Sequence, residues 1–150
     1  MKILFHDNQL GERGTSVALY DYAYYSREYL RVDPIIVYNK NAEHNNKLAE
    51  EKFKNEFEVI GYDDFSEVET IINNKSAEYF YCIKSGFIDG IQVTNAKTLV
   101  HSVYCYEPSQ SHGYRYATVS EWQSSINGNA LSNVPHMINL PNTGKDLRKE

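Results

Sequence analysis

The chain has 150 residues, 23% of them charged and 41% hydrophobic, with a formal net charge of -5. That length supports one domain with a real core, and the balance is that of a soluble protein rather than a disordered one. The acidic total argues against a dedicated nucleic-acid binder, which needs a Lys/Arg excess on some face. No apolar run approaches the roughly 18 residues of a membrane span, so a cytoplasmic address is expected.

The first predicted strand is 2–6, KILFH. A mostly polar loop holding Gly11, Glu12, Arg13 and Gly14 hands it over to a helix over 15–30, which Thr15 or Ser16 can cap. A strand at 34–38 and a highly charged helix at 43–55 follow, the helix having only Leu48, Phe53 and Phe57 as sparse inner contacts. Next come a strand at 57–60, a helix at 65–74, strands at 79–83, 98–103 and 116–120, and a helix at 121–126 with Ser120 as its N-cap.

Most of these strands are continuous apolar runs, as expected when both sheet faces are covered. Their alternation with helices implies right-handed crossovers and a mostly parallel sheet. The expected fold is α/β: a Rossmann-like three-layer sandwich with about six strands. The domain is expected to span 1–141, and 142–150 reads as the start of a linker or of a further segment. A helix begun there would have little to pack on, so the sequence reads as part of something longer. Cys82 and Cys105 lack a Cys-x-x-Cys spacing and read as reduced core thiols. Thirteen tyrosines fit a biased codon usage or a tyrosine-lined sugar cleft.

In an open parallel sheet, ligands bind beyond the carboxyl ends of the strands. The first loop is therefore the leading candidate: Gly11 and Gly14 permit tight turns and close ligand approach, and the helix start offers free N–H groups. Lys84, Ser85 and Gly86 follow the fourth strand and bring a cation to the same rim. His101 ends the fifth strand, where an imidazole can donate a hydrogen bond or carry a proton, and a polar loop at 107–113 follows it. A dinucleotide site is disfavoured by Gly-x-x-Gly spacing and by a second strand that ends without an acidic residue. A P-loop is disfavoured by the absence of the Lys-Ser/Thr ending. A receiver domain would need acidic strand ends, for which only Asp7, Asp63 and Asp64 are available. There is no Ser-His-Asp order, His/Cys metal cluster or carboxylate pair, and His6 and Asp7, being adjacent in a strand, point to opposite faces.

Taken in order, these pieces resemble the N-terminal half of a GT-B glycosyltransferase of the retaining family 4 type. The residues carrying the likeness are Gly11-Glu12-Arg13-Gly14-Thr15-Ser16 after the first strand, Val100-His101-Ser102, Val119-Ser120-Glu121-Trp122, and the 134–142 stretch, which is similar to the crossing into a second domain. The resemblance implies a hexosyltransferase-type enzyme that uses a nucleotide-sugar donor and a glycan or other hydroxyl acceptor, with no resident cofactor or metal. It implies that Gly11 through Ser16 face the donor phosphates and acceptor, that His101 lies beside the reacting sugar, and that Lys84, Ser85, Gly86, Ser120 and Glu121 line the acceptor side. The donor-binding C-terminal domain has no counterpart in these residues, so no transfer is expected from them alone. The alternative is a free-standing Rossmann-like binding or protein-interaction module.

Overall fold

The structure is a computed structural model that describes residues 1–104, 112–126 and 132–136. Eleven elements follow one another: β1 (Lys2–Asp7), α1 (Gly14–Leu30), β2 (Asp33–Asn39), α2 (Lys47–Lys54), β3 (Glu58–Tyr62), α3 (Glu67–Lys75), β4 (Tyr79–Lys84), β5 (Lys97–Ser102), β6 (Arg115–Thr118), α4 (Glu121–Ile126) and β7 (Ser132–Asn133). The strands form one sheet in the order β3-β2-β1-β4-β5-β6-β7. Every neighbouring pair is parallel. The expected Rossmann-like α/β architecture is the observed one, extended by the two-residue β7 at the sheet edge.

The period-two alternation of buried strands splits the core into two layers. On one face Ile3, Phe5, Ile36 and Ile83 pack beneath Ala18, Leu19 and Tyr22 of α1 and Phe53 of α2. On the other, Leu4, Ile35, Val37, Phe80, Cys82 and Val100 meet Val68 and Ile72 of α3. Cys82 is a free buried thiol, pushed up to about 12 by burial; Cys105 lies outside the described residues.

Helix starts differ from expectation where a side chain captures the first free N–H groups. The helix at 43–55 is shortened to α2 because Asn46 Oδ1 accepts from Leu48 N at 2.8 Å and Ala49 N at 3.2 Å, the bond pattern of a strong N-cap. Leu48, expected inside, is 73% exposed, whereas Phe53 and Phe57 are buried. Neither Thr15 nor Ser16 caps α1: the cap position is Arg13, which makes no side-chain cap bond. Ser120 does cap α4, accepting from Gln123 N at 3.2 Å, while Gln123 Oε1 accepts from Val119 N at 3.3 Å. This reciprocal pair is close to a capping box. No helix among the described residues is long and apolar enough to cross a membrane.

The strand order carries the functional consequence. From β1 the chain proceeds outward to β2 and β3, then returns to lay β4 on the other side of β1 and proceeds the opposite way to β7. Strands β1 and β4 are therefore neighbours whose outgoing connections diverge, and such a switch point opens a crevice at their carboxyl ends.

Candidate functional site at the β1–β4 switch point

A cleft of about 580 Å³ occupies that crevice, lined by Asp7, Asn8 and Gln9 after β1, Arg13, Gly14 and Thr15 at the start of α1, and Ile83, Lys84, Ser85 and Asp89 after β4. Val103 and Tyr104 close its third side from beyond β5. The register explains the meeting: His6 pairs with Cys82, so Asp7 and Lys84 emerge almost level at the sheet edge. Alternation then sends Asp7 toward α1 and Lys84 toward the opposite layer.

Asp7 is 5% exposed. Its Oδ2 accepts from Ser16 Oγ at 2.8 Å, and Ser16 Oγ accepts in turn from Gly11 N at 3.2 Å. Burial raises the Asp7 pKa, while hydrogen bonds from Ser16, Thr15 and the Asn8 and Gln9 backbone work to lower it. The uncapped start of α1 adds the positive end of a helix dipole on the same side. A carboxylate tethered to the helix by its own hydroxyls is thus a built part of the cleft wall.

Lys84 is 7% exposed. Its Nζ donates to Asp89 Oδ1 at 2.5 Å and to the Ile91 carbonyl at 3.1 Å. The cation expected at this rim is present but internally paired. The partner comes from a loop whose Gly86 and Gly90 have φ of 107° and 79°, values that glycine tolerates and other residues do not.

The two glycines of the first loop serve different ends. A Cβ on Gly11 would stand 2.8 Å from the His44 carbonyl oxygen, so Gly11 is needed for close approach of the 42–46 turn rather than of a ligand. That turn is knitted to the loop by Asn46 N to Leu10 O at 2.8 Å and Leu10 N to Asn45 Oδ1 at 2.9 Å. Glu12 accepts from Asn46 Nδ2 at 3.0 Å and turns to a separate groove between α1 and α2. Gly14 has nothing within 4 Å of its absent Cβ and opens onto the cleft.

The remaining expected site residues are distributed more widely. Arg13, Gly14, Thr15, Lys84 and Ser85 line the one cleft, and Gly86 shapes the loop beside it. Ser120 and Glu121 stand beyond β6, two strands from β4, and do not line it. His101 pairs in register with Ile83, one residue short of the edge, and its ring lies on the α1 face. Its Nδ1 is 2.6 Å from Tyr81 Oη and its ring centroid 5.0 Å from that of Tyr22. Among the described residues its buried Nε2 makes no hydrogen bond, although the Thr118 and Val134 carbonyls lie close enough to favour a proton there. Burial outweighs them and lowers its pKa. His101 instead lines an apolar groove of about 370 Å³ with Tyr22, Tyr25, Tyr29 and Tyr81. The loop at 107–113 lies outside the described residues except for His112 and Gly113.

Sequence reasoning did not single out Asp7, Asn8, Gln9, Asp89 or Tyr104 as cleft residues. The available signal was parity: Asp7 follows Phe5 by two positions and so shares its α1-facing side. Among the described residues no cluster of three or more His, Cys, Asp or Glu could hold a metal. What the fold and cleft define is a Rossmann-like α/β domain with a switch-point crevice. No protein-family model matches the chain, and no curated protein or solved structure is significantly similar to it.

Proposed function

We propose that the chain is the N-terminal, acceptor-side half of a GT-B glycosyltransferase of the retaining type. In that role it would help transfer a sugar from a nucleotide-sugar donor to a hydroxyl acceptor across a cleft completed by a donor-binding domain. The observation that carries the proposal is the switch-point cleft, where Arg13, Gly14 and Thr15 of the first loop meet Lys84 and Ser85 after β4. Arg13 is exposed at the cleft, where a guanidinium can fork onto an anionic oxygen. The open space at Gly14 lets a ligand approach the helix start. Asp7, Asn8, Gln9 and Tyr104 supply the hydroxyl-matching polar groups that sugars need. The catalytic role of His101 is implied by the resemblance alone and would require the reacting group to reach the α1-facing groove.

The test is ligand-observed NMR of the chain with a panel of nucleotide sugars and free glycans. The proposal expects weak binding that Gly14→Leu abolishes at unchanged thermal stability, and no transfer by these residues alone. Binding indifferent to Gly14→Leu, or transfer without a donor domain, contradicts it.

A second reading, a protein-interaction module, is favoured by one observation. The groove beside α1 is almost wholly apolar and rimmed by Tyr29 and Leu30, which are 75% and 69% exposed. Failure of every sugar ligand, together with self-association or partner binding that Tyr29→Lys removes, supports that reading.

A further inference from the structure

A buried lysine is costly unless paired, because removing an ammonium group from water forfeits its hydration. Lys84 is buried at the carboxyl end of β4, where a switch-point ligand would sit, yet its one carboxylate partner among the described residues is delivered by a surface loop. Asp89 is itself partly exposed, with 31% of its side chain accessible. It is flanked by Gly86 and Gly90 in the left-handed region of φ, and by Phe87 and Ile88, which are 46% and 57% exposed. Asp89 Oδ1 also accepts from Ile91 N at 3.0 Å, so one carboxylate oxygen holds both the lysine and the end of the loop. An oxyanion bridging an ammonium and a backbone N–H is the arrangement a phosphate ligand makes in such sites.

We propose that Asp89 is an internal stand-in for a ligand oxyanion: an incoming phosphoryl group takes its place on Lys84 Nζ and frees the 85–90 loop from the cleft. The charge balance supports an exchange rather than simple addition. With Asp89 in place, the cleft sets Arg13 and Lys84 against Asp7 and Asp89 and is formally neutral. With Asp89 displaced it carries one net positive charge beside the uncapped start of α1. Asp7 faces the same cleft and opposes an anion, but it is anchored by Ser16 on the α1 side, whereas Lys84 leads to the opposite layer. The exchange deepens the glycosyltransferase reading by naming the anchor for the donor's diphosphate; the anion site itself does not depend on that reading.

The probe is inorganic pyrophosphate, with affinity read by calorimetry and amide exchange at Ile91 read by NMR on the 150-residue chain. If the pair opens about a tenth of the time, removing the competitor raises apparent affinity about tenfold. Asp89→Asn is therefore expected to bind pyrophosphate about tenfold more tightly than the native chain, and Lys84→Met to lose binding. In the native chain, saturating pyrophosphate should speed exchange of the Ile91 amide, a readout that stands even if the Asn variant fails to fold. Equal or weaker binding by Asp89→Asn, native-like binding by Lys84→Met, or undiminished Ile91 protection at saturation overturns the proposal, as does absence of binding in both the native and Asn chains. Pyrophosphate exchange without any nucleotide-sugar binding would sink the glycosyltransferase reading and leave the exchange intact. Nucleotide-sugar binding with Ile91 still protected would do the reverse.

Discussion

Ser16 Oγ donates to Asp7 Oδ2 at 2.8 Å, joining the last residue of β1 to the first turn of α1. The same hydroxyl oxygen accepts from Gly11 N at 3.2 Å, so one buried atom fixes both ends of the first loop. Removing it leaves the buried Gly11 N–H without this partner, a loss that costs about 1–3 kcal/mol, while the Asp7 carboxylate keeps its hydrogen bonds from Thr15 and the Asn8 and Gln9 backbone. Ser16→Ala should therefore lower unfolding free energy by about 1–3 kcal/mol in denaturant titration, with an unchanged m-value. A change near zero would mean that the hydroxyl is replaced by water at no cost.

Acid should destabilise the protein through His6. Its ring is buried against Phe65 and Phe80 and its Nε2 lies 2.8 Å from Tyr62 Oη; burial, with Lys84 nearby, lowers its pKa from 6.5 to about 3. The unfolded chain takes up a proton near 6.5 that the folded chain refuses, so this stability is complete above 6.5 and is lost as pH falls toward about 3. His101 is shifted the same way. Asp7 has the opposite sign: its raised pKa gives a contribution that is full below 3.8 and is lost as pH rises through the folded value. Replacing His6 and Tyr62 together by Phe removes both partners and should flatten most of the slope between pH 6.5 and 4 in a series of denaturation curves. A slope identical to the native one would assign the acid sensitivity elsewhere.

The glycines of the first loop should respond in opposite ways. Gly11→Ala drives a Cβ to 2.8 Å from a backbone oxygen, which neither side can relieve without moving the 42–46 turn. A loss of about 1–3 kcal/mol is expected from such overpacking. Gly14 meets nothing within 4 Å and starts a helix, so Gly14→Ala should be neutral or stabilise by up to about 1 kcal/mol. Thermal melts of the two variants decide it, and equal destabilisation would contradict the division of roles.

His101 can be tested for packing and chemistry separately. His101→Ala empties a buried site and orphans the Tyr81 hydroxyl, so a loss of about 2–5 kcal/mol is expected. The pair His101→Leu with Tyr81→Phe refills the volume and removes the orphan, and should recover most of that loss. If the catalytic role holds, a longer chain carrying a donor domain remains inactive with the restored pair. Recovery of transfer along with stability would make His101 a core residue.

The fold was legible because continuous apolar runs of strand length, spaced by amphipathic segments, admit few arrangements other than a covered parallel sheet. Helix starts were less legible, since Thr15, Ser16 and Asn46 are all competent caps and only the tertiary partner decides which is used. Asn46 caps α2, while Ser16 is diverted to Asp7. The cleft's location followed from the rule of carboxyl ends, but its composition did not. That Lys84 is paired depends on the 85–90 loop folding back, and that Gly11 answers to His44 depends on a contact 33 positions away. His101 was placed near the rim by chain position alone. It shares the α1-facing side with Asp7 and Ile83 of the cleft, but it lies one residue below the edge on the neighbouring strand and opens into the groove beside Tyr22 instead.

The most direct test of the β1–β4 cleft as the ligand site is an amide chemical-shift map of the isotopically labelled chain titrated with a nucleotide sugar. The largest changes are expected in two separate stretches, residues 8–15 and 84–91, which meet only at the switch point. Changes confined to Tyr25, Tyr29, Leu99 and their neighbours beside α1, or no changes at saturating ligand, would contradict it.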